Sequence, residues 1–146
     1  MKPVDKTDPK QTETLAFELD LRHSPAKVWR TLTEPELLAQ WLLPVFGLEL
    51  TPGAAFTLET QPVGGWDGVV RCKVLEVEPL KKLRYAWVVG DMNTVVTFTL
   101  TPTAAGTLLS LVHTGFRPEQ KQNFGGARYG WNLMGGKLAD LLERTP

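Results

Sequence analysis

The feature that most constrains the fold is a change in the spacing of apolar residues near position 116. Across residues 46–116, apolar and polar residues alternate in short runs separated by turn residues. Such alternation is typical of antiparallel strands with one buried face. After residue 117 the apolar residues recur at helical spacing, which predicts one long C-terminal helix. The predicted strands of this region cover residues 47–50, 55–61, 69–78, 82–89, 94–101 and 107–116.

The segment before this region predicts one more strand and two short helices. Residues 13–22 alternate like the later strands. Ser24 and Pro25 form an N-cap followed by proline at the first helical position, and a second helical pattern begins at Pro35 and ends before Pro44. The order of elements predicts an α+β fold in which a curved antiparallel sheet of six to seven strands wraps around the C-terminal helix.

Length and charge limit the domain organisation and the classes of partner. Residues 1–12 are polar and lack periodicity, so they are predicted to be a flexible leader, and residues 13–146 suit a single domain. Lys plus Arg equals Asp plus Glu at 16 each, which argues against nucleic acid and anionic membranes as partners. A single cysteine and the lack of a signal-peptide pattern predict a cytoplasmic protein.

The predicted strands share an apolar and aromatic face. Tyr85 and Trp87 lie on the same side of one strand, and Phe98 and Phe56 lie on the matching side of others, so the concave face is predicted to be aromatic. His113 and Cys72 share this inward parity, and both are interpreted as core residues rather than catalytic ones. No metal-binding motif and no catalytic set is recognisable, so we expect no metal and no cofactor.

Three glycines in the predicted C-terminal helix need an explanation. Gly130, Gly135 and Gly136 each cost a helix about 1 kcal/mol relative to alanine. Gly135 follows Trp131 by four residues and therefore lies on the same helix face. The missing side chain predicts one of two arrangements, a deeper cavity or a closer approach of the helix to the sheet.

Several segments carry a family resemblance. They are SPAKVWRTLTEPELLAQW at residues 24–41, KVLEVEPLKKLRYAW at residues 73–87, and Gly130 and Trp131 with the downstream leucines 138 and 142. In these segments the chain resembles the activator of heat-shock protein 90 ATPase homologue-like branch of the START-like, or SRPBCC, superfamily. The resemblance implies a helix-grip fold with a cavity between the sheet and the long helix. It also implies that position 135, a glycine here, often carries leucine.

Three functions are compatible with these observations. The first is non-catalytic binding of a small hydrophobic or aromatic molecule by a monomer or weak homodimer. The second, suggested by the family resemblance, is an interaction with a protein partner of the chaperone-regulator type. The third is a polyketide cyclase or aromatase in which His113 or Tyr85 acts as acid or base. The residues predicted to line the cavity are Trp41, Phe46, Phe56, Trp66, Tyr85, Trp87, Phe98, His113, Trp131, Met134 and Gly135.

Overall fold

The computed structural model describes residues 2–146 and contains one antiparallel sheet of eight strands. The strands are β1 (Val4–Asp5), β2 (Thr14–Leu21), β3 (Val45–Phe46), β4 (Ala55–Glu59), β5 (Val69–Glu78), β6 (Lys82–Val89), β7 (Met92–Pro102) and β8 (Thr107–Thr114). Their order in the sheet is β1-β2-β8-β7-β6-β5-β4-β3. Strands β3 to β8 form the predicted meander, and β2 adds to its last strand. The predicted α+β helix-grip architecture is confirmed.

The strand count differs from the prediction at the two edges of the sheet. The expected strand at residues 47–50 is absent, and Val45–Phe46 pairs with β4 instead. Gly47 there has a positive φ of 80°, which turns the chain away from the sheet immediately after Phe46. At the other edge, β1 adds a strand that the sequence did not predict.

Three helices complete the fold: α1 (Pro25–Thr33), α2 (Pro35–Trp41) and α3 (Lys121–Arg144), the last preceded by a 3-10 turn at Pro118–Gln120. The Ser24 hydroxyl accepts the backbone N–H of Lys27 at 3.2 Å and caps α1, as the sequence predicts. The Trp41 indole donates to the carbonyl oxygen of Thr31 at 2.7 Å and fixes the corner between α1 and α2. Within residues 2–146, no helix is both long enough and apolar enough to cross a membrane.

Helix α3 lies against the concave face of the sheet, and the space along most of its length is filled by side chains. Trp41 meets Phe98 edge-on with ring centroids 6.2 Å apart, and Phe56 meets Tyr85 at 5.1 Å. These rings, together with Trp131 on α3, are 8% exposed or less. The predicted aromatic inner face is therefore a packed core beneath the helix.

The segment predicted to be a flexible leader contains an ordered edge strand. Met1 lies outside the described residues, but Val4 and Asp5 pair with β2. The Asp5 carboxylate accepts the Arg128 Nε–H of α3 at 2.6 Å, and the Thr7 side chain is buried. The segment lacks the apolar periodicity that identifies a strand because only two residues pair, so the sequence signal was too short to detect.

Gly135 leaves room for this N-terminal segment. A Cβ atom at position 135 would lie 2.8 Å from Cγ and 3.1 Å from Cβ of Pro3. Neither predicted arrangement describes this glycine: the missing side chain neither opens a cavity nor brings the helix onto the sheet. It accommodates Pro3. This residue precedes β1, the strand that pairs with β2 and is hydrogen-bonded to α3.

Adjacent glycines on α3 give a matched test of this packing. A Cβ at Gly136 meets nothing within 4 Å, so Gly136→Ala should raise the free energy of unfolding by about 1 kcal/mol through helix propensity. Gly135→Ala should give no gain, or a loss, because overpacking against Pro3 costs roughly 1–3 kcal/mol. Urea unfolding of both variants measures the difference, and an equal gain from both would show that Pro3 does not occupy this position.

Candidate functional site

A groove with a volume of about 420 Å³ lies between the N-terminal half of α3 and the sheet. One wall comes from α3, the opposite wall from β5, β6 and the start of β7, and the rim from Leu43 and the loop that carries Trp66. The lining residues are Leu43, Trp66, Val70, Trp87, Val89, Met92, His113, Asn123, Gly126, Ala127, Gly130, Trp131 and Met134. The groove therefore sits at one end of the packed aromatic core.

Small residues on one face of α3 keep the groove open. Gly130 follows Gly126 by four residues and Ala127 by three, so all three lie along one side of the helix. A Cβ at Gly126 would meet no atom within 4 Å, and one at Gly130 would meet only the Met134 methyl at 3.6 Å. Neither glycine is required by close packing. Their effect is to leave space in front of the Trp87 and Trp131 rings.

Trp66 is held at the rim by a tight loop between β4 and β5. Its indole N–H donates to the carbonyl oxygen of Val69 at 3.1 Å. The backbones of Val63 and Trp66 also pair as an isolated antiparallel β-bridge. Gly68 has a φ of 80°, and a side chain there would collide with the backbone carbonyl of Thr60. The loop thus depends on glycine at position 68 to place an aromatic ring over the groove.

A chain of hydrogen bonds, each with an identifiable donor, connects α3 to strands β8, β7 and β6. The Trp131 indole N–H donates to His113 Nδ1 at 2.9 Å. An indole nitrogen can only donate, so Nδ1 must be the acceptor and the proton of the neutral ring is on Nε2. That N–H donates to the Thr94 hydroxyl at 2.8 Å, and the hydroxyl donates to the Trp87 carbonyl oxygen at 2.7 Å. Four residues on four elements are linked.

The His113 ring is neutral and has no free nitrogen. The side chain is 1% exposed, and desolvation lowers its pKa from 6.5 to about 3. The Phe116 ring lies 4.7 Å away between centroids, and Trp87 and Trp131 lie at 5.6 and 5.9 Å. Because both nitrogens are engaged, the ring positions Trp131 against the sheet and has no nitrogen with which to accept a substrate proton.

Tyr85 and Cys72 are also poor candidates for acid–base or nucleophilic chemistry. Neither lines the groove, and both side chains are buried on the inner face of the sheet. Burial raises the pKa of the Cys72 thiol to about 12 and raises the pKa of the Tyr85 phenol well above its ordinary value. A thiol reacts as its thiolate, so Cys72 lacks the reactive form near neutral pH.

The predicted site residues separate into three groups in the structure. Five line the groove: Trp66, Trp87, His113, Trp131 and Met134. Four lie in the core without lining it: Trp41, Phe56, Tyr85 and Phe98. Two lie elsewhere. Phe46 is 54% exposed and lines a separate groove of about 330 Å³ with Pro44 and Glu59, and Gly135 faces Pro3.

Eight lining residues were missed by the sequence predictions. They are Leu43, Val70, Val89, Met92, Asn123, Gly126, Ala127 and Gly130. Some signal was available for the helix, because Gly126 and Gly130 are one turn apart on the face that continues to Met134. Val89 also had a signal, because it shares the inward parity of Trp87 in β6, whereas Met92 lies outside the predicted strand at residues 94–101.

Comparison with known proteins supports the same fold. A family model described as Activator of Hsp90 ATPase homolog 1-like protein matches residues 22–143. The chain belongs to this family. The match begins at the end of β2 and includes all the helices except the last residue of α3, so it covers the groove completely. No curated protein matches the chain.

Solved structures with a similar fold include a protein with substantial sequence identity. MLL2253 from Mesorhizobium loti is 41% identical, with a TM-score of 0.82, over 91% of this chain and 98% of that one. DynU16, a protein in the dynemicin biosynthetic locus, is 24% identical with a TM-score of 0.75, over 90% of this chain and 47% of that one. CalU16 from Micromonospora echinospora is 21% identical with a TM-score of 0.68, over 97% and 87%. The last two likenesses concern the fold alone.

Proposed function

We propose that this member of the activator-homologue family binds a small apolar or aromatic molecule in the groove beside α3, without reacting with it. The observation that carries the proposal is the open face made by Gly126 and Gly130 of α3, in a groove that the Trp87 and Trp131 rings also line. A concave, mainly apolar site with a few polar groups is the common form of a small-molecule site. These two helix glycines cost about 1 kcal/mol each relative to alanine, and a bound ligand offsets that cost.

The chemistry of the lining supports binding over catalysis. Among the lining residues, His113 has the one titratable side chain, and both its nitrogens are engaged in hydrogen bonds. The Cys72 thiol and the Tyr85 phenol lie outside the lining and are held in their neutral forms by burial. A cyclase would need a group that exchanges protons with its substrate, and His113 and Tyr85, the two residues considered for it, are poorly suited.

A matched pair of helix variants tests the proposal. Gly125 and Gly126 are neighbouring exposed glycines of α3 with open space around an added Cβ, but only Gly126 lines the groove. A thermal-shift screen of neutral aromatic compounds should find binders of the wild type and of Gly125→Leu that fail to bind Gly126→Leu. A ligand at 100 times its Kd should stabilise the folded state by about 2.7 kcal/mol.

The two leucine variants also control for stability. Both replace a helix glycine by a strong helix former, so both unliganded variants should unfold at a higher temperature than the wild type. If Gly126→Leu alone loses the ligand-induced rise in unfolding temperature, the new side chain fills the groove and prevents binding. Binding that survives equally in both variants would mean that the ligand site lies elsewhere, and a screen without any binder would remove the proposal.

A second candidate, interaction with a protein partner, is favoured by one surface. The outer face of α3 exposes Tyr129 at 73% and Leu133 at 50%, beside a groove of about 510 Å³ that also includes Pro3. Exposed apolar side chains next to each other are a common feature of protein interfaces. This groove shares no lining residue with the groove beside Gly126 and Gly130, so failure of the ligand screen would move the function to it.

A further inference from the structure

The groove contains no charged side chain to balance a charge on a bound molecule. Its lining has no Asp, Glu, Lys or Arg, and its one histidine is neutral and engaged at both nitrogens. Placing an ionised group in such a site removes its hydration without supplying a counter-ion. The part of a ligand that enters the groove is therefore expected to be uncharged.

One of the indole N–H groups that line the groove makes no hydrogen bond within residues 2–146. Three tryptophans line it, and two of their indole N–H groups donate within the protein, Trp66 to Val69 and Trp131 to His113. Trp87 makes no such bond among residues 2–146. No buried side-chain nitrogen or oxygen of the described residues lacks a partner, so the Trp87 nitrogen is not sealed inside the core. Trp87 is 8% exposed and is one of the residues that line the groove.

The position of Trp87 is fixed from several sides. Its ring lies 5.4 Å from the Trp131 ring and 5.6 Å from the His113 ring. Its carbonyl oxygen accepts the Thr94 hydroxyl at the end of the hydrogen-bond chain. A donor held in this way is preorganised, since little side-chain freedom is lost when an acceptor binds to it. Because an indole nitrogen has no acceptor capacity, the group that it binds must be an acceptor.

From these observations, and resting on the ligand-binding function proposed above, we propose that the groove selects uncharged aromatic molecules that carry an acceptor oxygen. The Trp87 N–H is the group that binds this oxygen, and it makes Trp87 the residue that determines specificity. The Trp131 ring and the small residues of α3 bind the apolar body of the molecule. Asn123, exposed at the mouth, meets any polar end that remains outside.

Pairs of compounds that differ only by a carbonyl group test this proposal. The probes are 9-fluorenone with fluorene, xanthone with xanthene, and benzophenone with diphenylmethane. Their affinities are measured by quenching of tryptophan fluorescence and by calorimetry. The wild type should bind the ketone of a pair roughly fivefold more tightly than the methylene compound, the value of one ordinary hydrogen bond. Trp87→Phe should remove this preference and change the affinity for the methylene compound much less.

A spectroscopic measurement on the wild type tests the same hydrogen bond and does not require that the Trp87→Phe variant folds. The infrared carbonyl stretch of a bound ketone should move to lower frequency relative to the same ketone in an apolar solvent. Equal affinity for ketone and methylene compound in all three pairs, with an unshifted carbonyl stretch, would overturn the role of Trp87 while leaving the binding function intact. If none of the six compounds binds, and Gly126→Leu behaves like Gly125→Leu throughout the wider screen, the binding function itself fails.

Discussion

Replacing Trp131 by alanine should lower the free energy of unfolding by about 3–5 kcal/mol, the cost of removing a large buried aromatic side chain. Trp131 is 2% exposed, and its ring lies 5.4 Å from Trp87 and 6.2 Å from Phe98. Its indole N–H also connects α3 to His113 of β8 by a buried hydrogen bond. Urea unfolding at neutral pH measures the loss, which should be accompanied by loss of ligand binding in the groove.

Trp131→Phe separates the hydrogen bond from the packing. This variant keeps an aromatic ring but leaves His113 Nδ1 buried without a donor, which should cost about 1–3 kcal/mol. Trp29→Phe is the control, because Trp29 is also buried but its indole donates to no side chain or carbonyl of residues 2–146. If the two phenylalanine variants lose equal stability, the Trp131–His113 bond contributes nothing measurable and the account of α3 docking is wrong.

The second large effect is a loss of stability in mild acid. The His113 pKa is about 3 in the folded state and 6.5 in the unfolded chain, so between these values the unfolded state binds the additional proton. Stability is therefore fully present above pH 6.5 and is lost as the pH falls, at up to about 1.4 kcal/mol per pH unit. By pH 5 the loss from this residue alone should be about 2 kcal/mol.

A variant of His113 that does not titrate identifies the source of this pH dependence. His113→Gln keeps a donor and an acceptor but does not titrate, so its stability should change much less between pH 7 and pH 5. The groups that face His113 are Thr94, Trp87, Phe116 and Trp131, and none of them carries a charge that could offset protonation. An unchanged slope in His113→Gln would contradict a buried neutral ring.

The order of elements and the inner face were predictable because each depends on local periodicity. Strand parity alone placed Trp87, Phe98 and His113 on the concave side, and all three are buried there. The predicted bounds of β5 and β6 are those of the structure. Local patterns succeed in these cases because alternate residues of a strand necessarily face opposite sides of a sheet.

The site was harder to predict because it depends on contacts between distant segments. The explanation of Gly135 is Pro3, which lies at the other end of the chain and has no sequence pattern that links it to α3. Parity could not distinguish Phe98, which is covered by Trp41, from Trp87, which reaches the groove. That difference depends on where small residues of α3 leave space, and their position relative to each strand is set only by the tertiary fold.

The central claim is that the groove beside Gly126 binds a small molecule, and the five tryptophans provide a direct measurement. A proton–nitrogen correlation spectrum gives one indole signal for each of them, assigned by single substitutions to phenylalanine. On titration with a compound from the screen, the signals of Trp66, Trp87 and Trp131 should move, since these three line the groove. Those of Trp29 and Trp41 should stay in place. The largest shifts at Trp29 or Trp41, or no shift with any compound, would contradict the account.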